Sequence, residues 1–183
     1  MDRVLPGADA LASRHPERTV FTRFVPPARP NEMPGMWQRY YTRWRVATRE
    51  RLDFRLLDLM PPLAALCPLA TVIDKTRYSA FAEPGLIEHL RQREADALIV
   101  SGSETDVCVL ATVLDAVDIG YRVIVVRDAI CSSSDEGHDA YAALSHPIFG
   151  ADRDRRRRGN PRAVGMMQLG EIGPAIFRSG LQA

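Results

Sequence analysis

Residues 97–127 read ALIVSGSETDVCVLATVLDAVDIGYRVIVVR, and the order of patterns within them decides the fold class. Ala97 to Val100 is a short apolar run stopped by Ser101 and Gly102, Thr105 to Ile119 carries a long apolar helical pattern, and Arg122 to Arg127 is a second apolar run. Strands that are apolar throughout, rather than alternating, are covered on both faces, and strands separated by helices pair in parallel. The pattern extends upstream. ATVID at 70–74 is another buried strand, Pro84 to Glu94 has a helical period with Pro at its start, Thr19 to Val25 is β-branched and aromatic, and Val4 to Arg14 has helical spacing. The expectation is a doubly wound, mainly parallel α/β sheet with helices on both faces. A helical pattern over 54–66 is cut by Pro61 and Pro62, and residues 26–52 read as irregular.

The chain has 183 residues, 46% hydrophobic and 26% charged, with a formal net charge of +1. That suits one soluble globular domain. No stretch approaches the ~18 apolar residues of a membrane span, and the start MDRVLPGADA lacks the basic-then-apolar layout of a secretory signal, so a cytoplasmic protein with no membrane partner is expected. Charge changes near Gly150. Residues 1–150 read as the α/β domain, and residues 151–183, with 7 basic and 3 acidic groups, as a divergent basic tail. Arg155 to Arg158 lack interleaved aromatics and read as a solvated surface run rather than a nucleic-acid contact.

Two residue types bear on chemistry. Of 24 basic residues, 23 are arginine and one is lysine, Lys75, just past the strand ATVID. An ammonium is a compact charge whose proton affinity responds to burial, whereas a guanidinium stays protonated, so a position that keeps Lys in this chain marks candidate chemistry. The three cysteines, Cys67, Cys108 and Cys131, suit neither a disulfide framework nor paired zinc ligands. Cys67 sits in LAALCPLA and reads as a small buried hydrophobe, and Cys131 follows a strand end. Cys108 falls in the first turn of the helix after ALIVSG, where unpaired N–H groups and the helix dipole favour a thiolate and can hold an oxyanion. Ligands of parallel α/β sheets bind beyond the carboxyl ends of the strands, the edge that carries both Lys75 and Cys108.

DKTRYSAF at 74–81 and SGSETDVCVLATVLDAVDIGYRVIVVRDAICSSSDEGHDA at 101–140 resemble the isochorismatase-like cysteine hydrolases, a superfamily that includes nicotinamidases and carbamoylsarcosine amidase. The resemblance runs from about Val4 to Tyr141. It implies a six-stranded, mainly parallel sheet and a catalytic set of Cys, Asp and Lys. Carried over by position, it makes Cys108 the nucleophile, Lys75 the family lysine, the backbone N–H groups of Glu104 and Cys108 the oxyanion hole, and Ser103–Glu104 a cis peptide. Tyr78, Phe81 and Thr105 fall at pocket positions. The implied reaction is cleavage of a C–N, amide-type bond of a small molecule through a Cys108 thioester, with no cofactor.

The chain departs from the family at both ends of that match. The family's catalytic Asp ends a first, central strand that precedes the helix matched by Val4 to Arg14; Asp2 follows no such run and is not assigned the role. The domain is therefore read as N-terminally incomplete, with a gap in mid-sheet that would leave ladder groups unpaired on both neighbouring strands. The alternative reading is a truncated, inactive relative that keeps only the fold and a binding or oligomer surface. A Cys and His pair using His138 is a third; the resemblance gives His138 no role, and nothing fixes Asp135 and Asp139 beside it toward a metal. The aromatic and Arg-rich stretch Trp37 to Trp44 reads as a site cover, a satellite cluster or a homo-oligomer interface.

Overall fold

Val20 and Phe21 are neighbours in sequence and both are fully buried. Successive side chains of a strand point to opposite faces, so this strand must be covered on each side. The computed structural model, which describes residues 4–141 and 163–169, places them in β1 (Thr19–Phe24). Val20 joins a cluster with Leu86 and Leu90 of α4 (Pro84–Gln92) and Val113 and Ala116 of α5 (Leu110–Ile119). Phe21 joins a second cluster with Ala8 and Ala12 of α1 (Leu5–Ala12) and Leu63 of the short α3 (Pro61–Ala64). The result is the three-layer arrangement expected from the continuous apolar strands.

The remaining strands are β2 (Thr71–Lys75), β3 (Ala97–Ser103), β4 (Arg122–Cys131) and β5 (Ala163–Leu169). All pairings are parallel, in the order β2-β1-β5-β3-β4. This corrects the expectation of a gap. The central place is filled by β5, AVGMMQL, drawn from the segment read as a basic tail; it pairs with β1 through Thr19↔Gly165 and with β3 through Ile99↔Gly165. An empty place would leave the facing N–H and C=O groups of β1 and β3 unpaired, at about 1 to 3 kcal/mol for each buried group, and an apolar heptapeptide removes that cost. Five strands, not six, are present among the described residues. β5 also joins two half-sheets, β1–β2 and β3–β4, that have no ladder with each other.

Residues 26–52 are more ordered than their turn-rich sequence suggests. They hold α2 (Gly35–Arg43), which starts after Pro34 and buries only Tyr41. No helix among the described residues is long and apolar enough to cross a membrane.

Candidate active site

Lys75 is the last residue of β2 and is 1% exposed. An ammonium has three N–H donors and, once buried, needs an acceptor for each. Nζ donates to the carbonyl oxygens of Arg77, at 3.1 Å, and Tyr78, at 2.5 Å, and the Cys108 thiol lies near enough to act on the ammonium. The ring of Phe24, paired with Lys75 across β1 and β2, lies with its centroid 5.5 Å from Nζ. Burial lowers the pKa of Lys75, and the charge and hydrogen bond of Cys108, then the charge of Glu83, act against that shift. The Glu83 carboxylate is itself held by the Thr76 N–H at 3.1 Å.

Cys108 arrives from the other half-sheet. β3 bends at Gly102, whose φ of +113° is costly for a side-chain-bearing residue and which falls at a shift in the β3–β4 register. The Ser103–Glu104 peptide is cis. Residues Thr105–Val109 then form a wide π turn before α5, closed by the Val109 N–H on the Glu104 carbonyl at 2.9 Å. The long apolar pattern from Thr105 thus covers two conformations, and such π turns recur at functional sites. Cys108 lies within the turn and is partly exposed. A thiol beside an ammonium at the start of a helix is placed for nucleophilic chemistry.

Aromatic rings wall this place. Tyr78 packs on Trp37 with centroids 4.8 Å apart, and Trp37 contacts Phe24 at 6.3 Å and Tyr41, stacked, at 6.0 Å. Burial raises the pKa of Tyr78, as does the charge of Cys108. The stretch 37–44 therefore turns inward: Tyr41 is buried with Met33 and Ala47, and Trp37, Tyr40 and Trp44 pack against them. Site cover and satellite cluster are one structure.

The other candidates are distributed as follows. Phe81 lies in the main core, stacked on Tyr121 at 5.9 Å. Thr105 is fully buried, with Oγ1 3.2 Å from Nδ1 of His138. Cys131 ends β4 opposite Ser103, and burial and the Glu104 carboxylate push its thiol pKa up. Cys67 lines a cleft of about 800 Å³ with Phe24, Leu57, Met60 and Val72. No group of three His, Cys, Asp or Glu side chains that could hold a metal exists among the described residues. The sequence reading took Glu104 as a backbone donor alone. Its side chain is also engaged, accepting from the Ser133 N–H at 2.7 Å and from the Ser132 hydroxyl at 3.0 Å, and the Ser-rich run beside it was the available signal.

The isochorismatase domain family matches residues 3–151, and the chain belongs to that family. It is 34% identical over 134 residues to a nicotinamidase of Escherichia coli, covering 69% of this chain and 63% of that protein. It is 46% identical over 79 residues to an uncharacterized isochorismatase family protein, PncA, of Bacillus subtilis, covering 43% of this chain and 42% of that one. The chain thus spans less than two thirds of the length of both. Among solved structures, a pyrazinamidase/nicotinamidase from Streptococcus mutans superposes with a TM-score of 0.64 at 23% identity over 82% of this chain and 84% of that one. An N-carbamoylsarcosine amidase from Thermoplasma acidophilum gives 0.61 at 21% identity over 90% and 82%. These two likenesses establish the shared α/β fold.

Proposed function

We propose that this chain is a cysteine hydrolase that cleaves the C–N bond of a small amide through a Cys108 thioester. The observation that carries the reading is the buried Lys75 ammonium set against the Cys108 thiol at the carboxyl edge of the sheet. The thiolate adds to the amide carbonyl, forming a C–S bond and moving the C=O π pair onto oxygen, where the backbone N–H groups of Glu104 and Cys108 receive the charge. Collapse of the adduct breaks the C–N bond, and the amine leaves with a proton. Water then hydrolyses the thioester and returns the thiol.

Both proton transfers need a group that touches the reacting atoms. The family resemblance supplies an aspartate at the end of the central strand, but β5 in that place reads AVGMMQL and holds no acid. Lys75 is in contact with the thiol and holds its proton less tightly for being buried. It is the residue assigned to protonate the amine and deprotonate the water. The proposed substrate is a small flat amide, a shape that suits the walls of Tyr78, Trp37 and Phe24. The absence of an acid from β5 favours one second reading, a relative that retains the fold and a binding surface without turnover.

The test is ammonia release from nicotinamide and from maleamate, with Cys108→Ala as the control. Release by the parent and none by the variant supports the hydrolase. No release from either amide, with Cys108 still reactive toward an alkylating reagent, favours the second reading.

A further inference from the structure

A second set of contacts beside Cys108 is left unused by that chemistry. The side chains of three consecutive residues after β3 are tied to the segment after β4. The Glu104 carboxylate accepts from the Ser133 N–H, the single proton of the Ser132 hydroxyl is shared between the Glu104 and Asp106 carboxylates, and the Thr105 hydroxyl meets His138. Residues 135–141 are helical, and Gly137 lies so close to Asp106 that a Cβ there would overlap the carboxylate. The glycine keeps room for the tie.

The consequence falls on the backbone of Glu104. Its carbonyl is held by the N–H groups of Val107, at 3.3 Å, and Val109, at 2.9 Å, so the helix fixes one side of the residue. Its side chain is held by Ser132 and Ser133, which fixes the other. A residue pinned at both carbonyl and side chain has little freedom left for its N–H. We propose that the Glu104 carboxylate and the Ser132 hydroxyl are positioning residues that aim the Glu104 N–H at the oxyanion formed on Cys108. This rests on the reading of Cys108 as the nucleophile. The role is separate from contact with substrate: neither group need touch it. An oxyanion donor is worth about 10²- to 10³-fold in kcat, and its value depends on aim, so loosening the tie should lose part of that factor.

The experiment compares Glu104→Leu, Glu104→Gln and Ser132→Ala with the parent in three measurements. The first is nicotinamide hydrolysis, the second is alkylation of Cys108 by iodoacetamide, a displacement in which no oxyanion forms, and the third is reversible addition of propionaldehyde to Cys108. In that addition the C–S bond forms and the carbonyl π pair moves to oxygen, which then takes a solvent proton. Glu104→Leu should lower kcat by about tenfold with KM changed little, weaken the aldehyde adduct by a similar factor and leave alkylation within about twofold. Glu104→Gln keeps an acceptor oxygen for the Ser133 N–H and should recover most of the loss, while Ser132→Ala should lie between. Unchanged kcat and adduct in Glu104→Leu overturn the proposal, as does a parallel fall in alkylation, which marks a general structural role. A parent that hydrolyses no nicotinamide but forms an adduct weakened in Glu104→Leu removes amide turnover while supporting the positioning role.

Discussion

Lys75 and Tyr78 are joined across a single turn, the ammonium donating to the Tyr78 carbonyl oxygen at 2.5 Å. The Tyr78 ring packs on Trp37, so the group that charges the site and the ring that walls it share one short segment. The broader, planar head of a guanidinium cannot place a donor on both carbonyl oxygens in that space as the compact ammonium does.

The first prediction follows from this pair. Iodoacetamide should label Cys108 faster than Cys67 or Cys131 near neutral pH, read by mass spectrometry of the peptides. Lys75→Met should slow Cys108 labelling by about tenfold, which corresponds to ~1.4 kcal/mol in the barrier to alkylation. Lys75→Arg should slow it also, despite keeping the charge. Equal rates at the three thiols, or no change in either variant, would remove the activation argument.

Stability should depend on pH through Lys75. Its folded pKa is lowered by burial, so between that value and the unfolded value near 10.5 the unfolded chain binds more protons. Stability contributed by this group therefore rises with pH in that window, and below it the full cost of burying the charge remains. The difference in urea-unfolding free energy between parent and Lys75→Met should move in the parent's favour as pH rises toward 10.5. A flat difference curve counts against a buried, charged Lys75.

Tyr141 is 3% exposed, and its hydroxyl has no hydrogen-bond partner among the described residues. Burial pushes its pKa up to about 12. Tyr141→Phe should be neutral or raise stability by up to about 1 kcal/mol, because an unsatisfied polar atom is removed. With the folded pKa above the unfolded value of about 10, the parent should lose stability as pH climbs from 10 toward 12, and the variant should lose less. Destabilisation by the phenylalanine in a thermal melt at neutral pH is the contrary result.

Gly165 tests the central strand. A Cβ there would meet Thr19 Oγ1 at 3.6 Å, an ordinary contact, so Gly165→Ala should fold and change the urea midpoint little. Gly165→Pro removes a ladder N–H from mid-sheet and should cost about 1 to 3 kcal/mol or more. Because β5 alone joins the half-sheets that carry Lys75 and Cys108, Gly165→Pro should also slow Cys108 labelling. Equal midpoints for the two variants would mean that β5 is not a sheet strand.

The legible parts of this fold were those written in local pattern. Val20, Leu98 and Val100 lie in apolar runs bounded by turn residues, and the placing of Lys75 and Cys108 on one edge follows from where those runs stop. What escaped was non-local or weakly patterned. In helix α2 and at its C-cap the aromatics Trp37, Tyr40, Tyr41 and Trp44 do stand at helical spacing, but the Pro- and Gly-rich residues before them, PPARPNEMPG, marked the whole stretch as irregular and hid the stripe. Strand β5 is an apolar heptapeptide with an interior glycine, downstream of a run of arginines, and only its two partners make it a strand. The tie between Glu104 and Ser132 joins residues whose nearness depends on the β3–β4 register, which no spacing in the sequence states.

The position of β5 also sets an order of events during synthesis. Helices and half-sheets encoded by residues 4–131 can form as they leave the ribosome, but each half-sheet then presents an open inner edge, from β1 on one side and β3 on the other. Open strand edges invite pairing with other chains, and parallel pairing between distant segments is slow. Until residues 163–169 are translated, β1 and β3 lack the strand that pairs with both of them. Expression at lower temperature or with a chaperone that shields strand edges should raise the soluble yield more for this chain than for a protein whose central strand is made first.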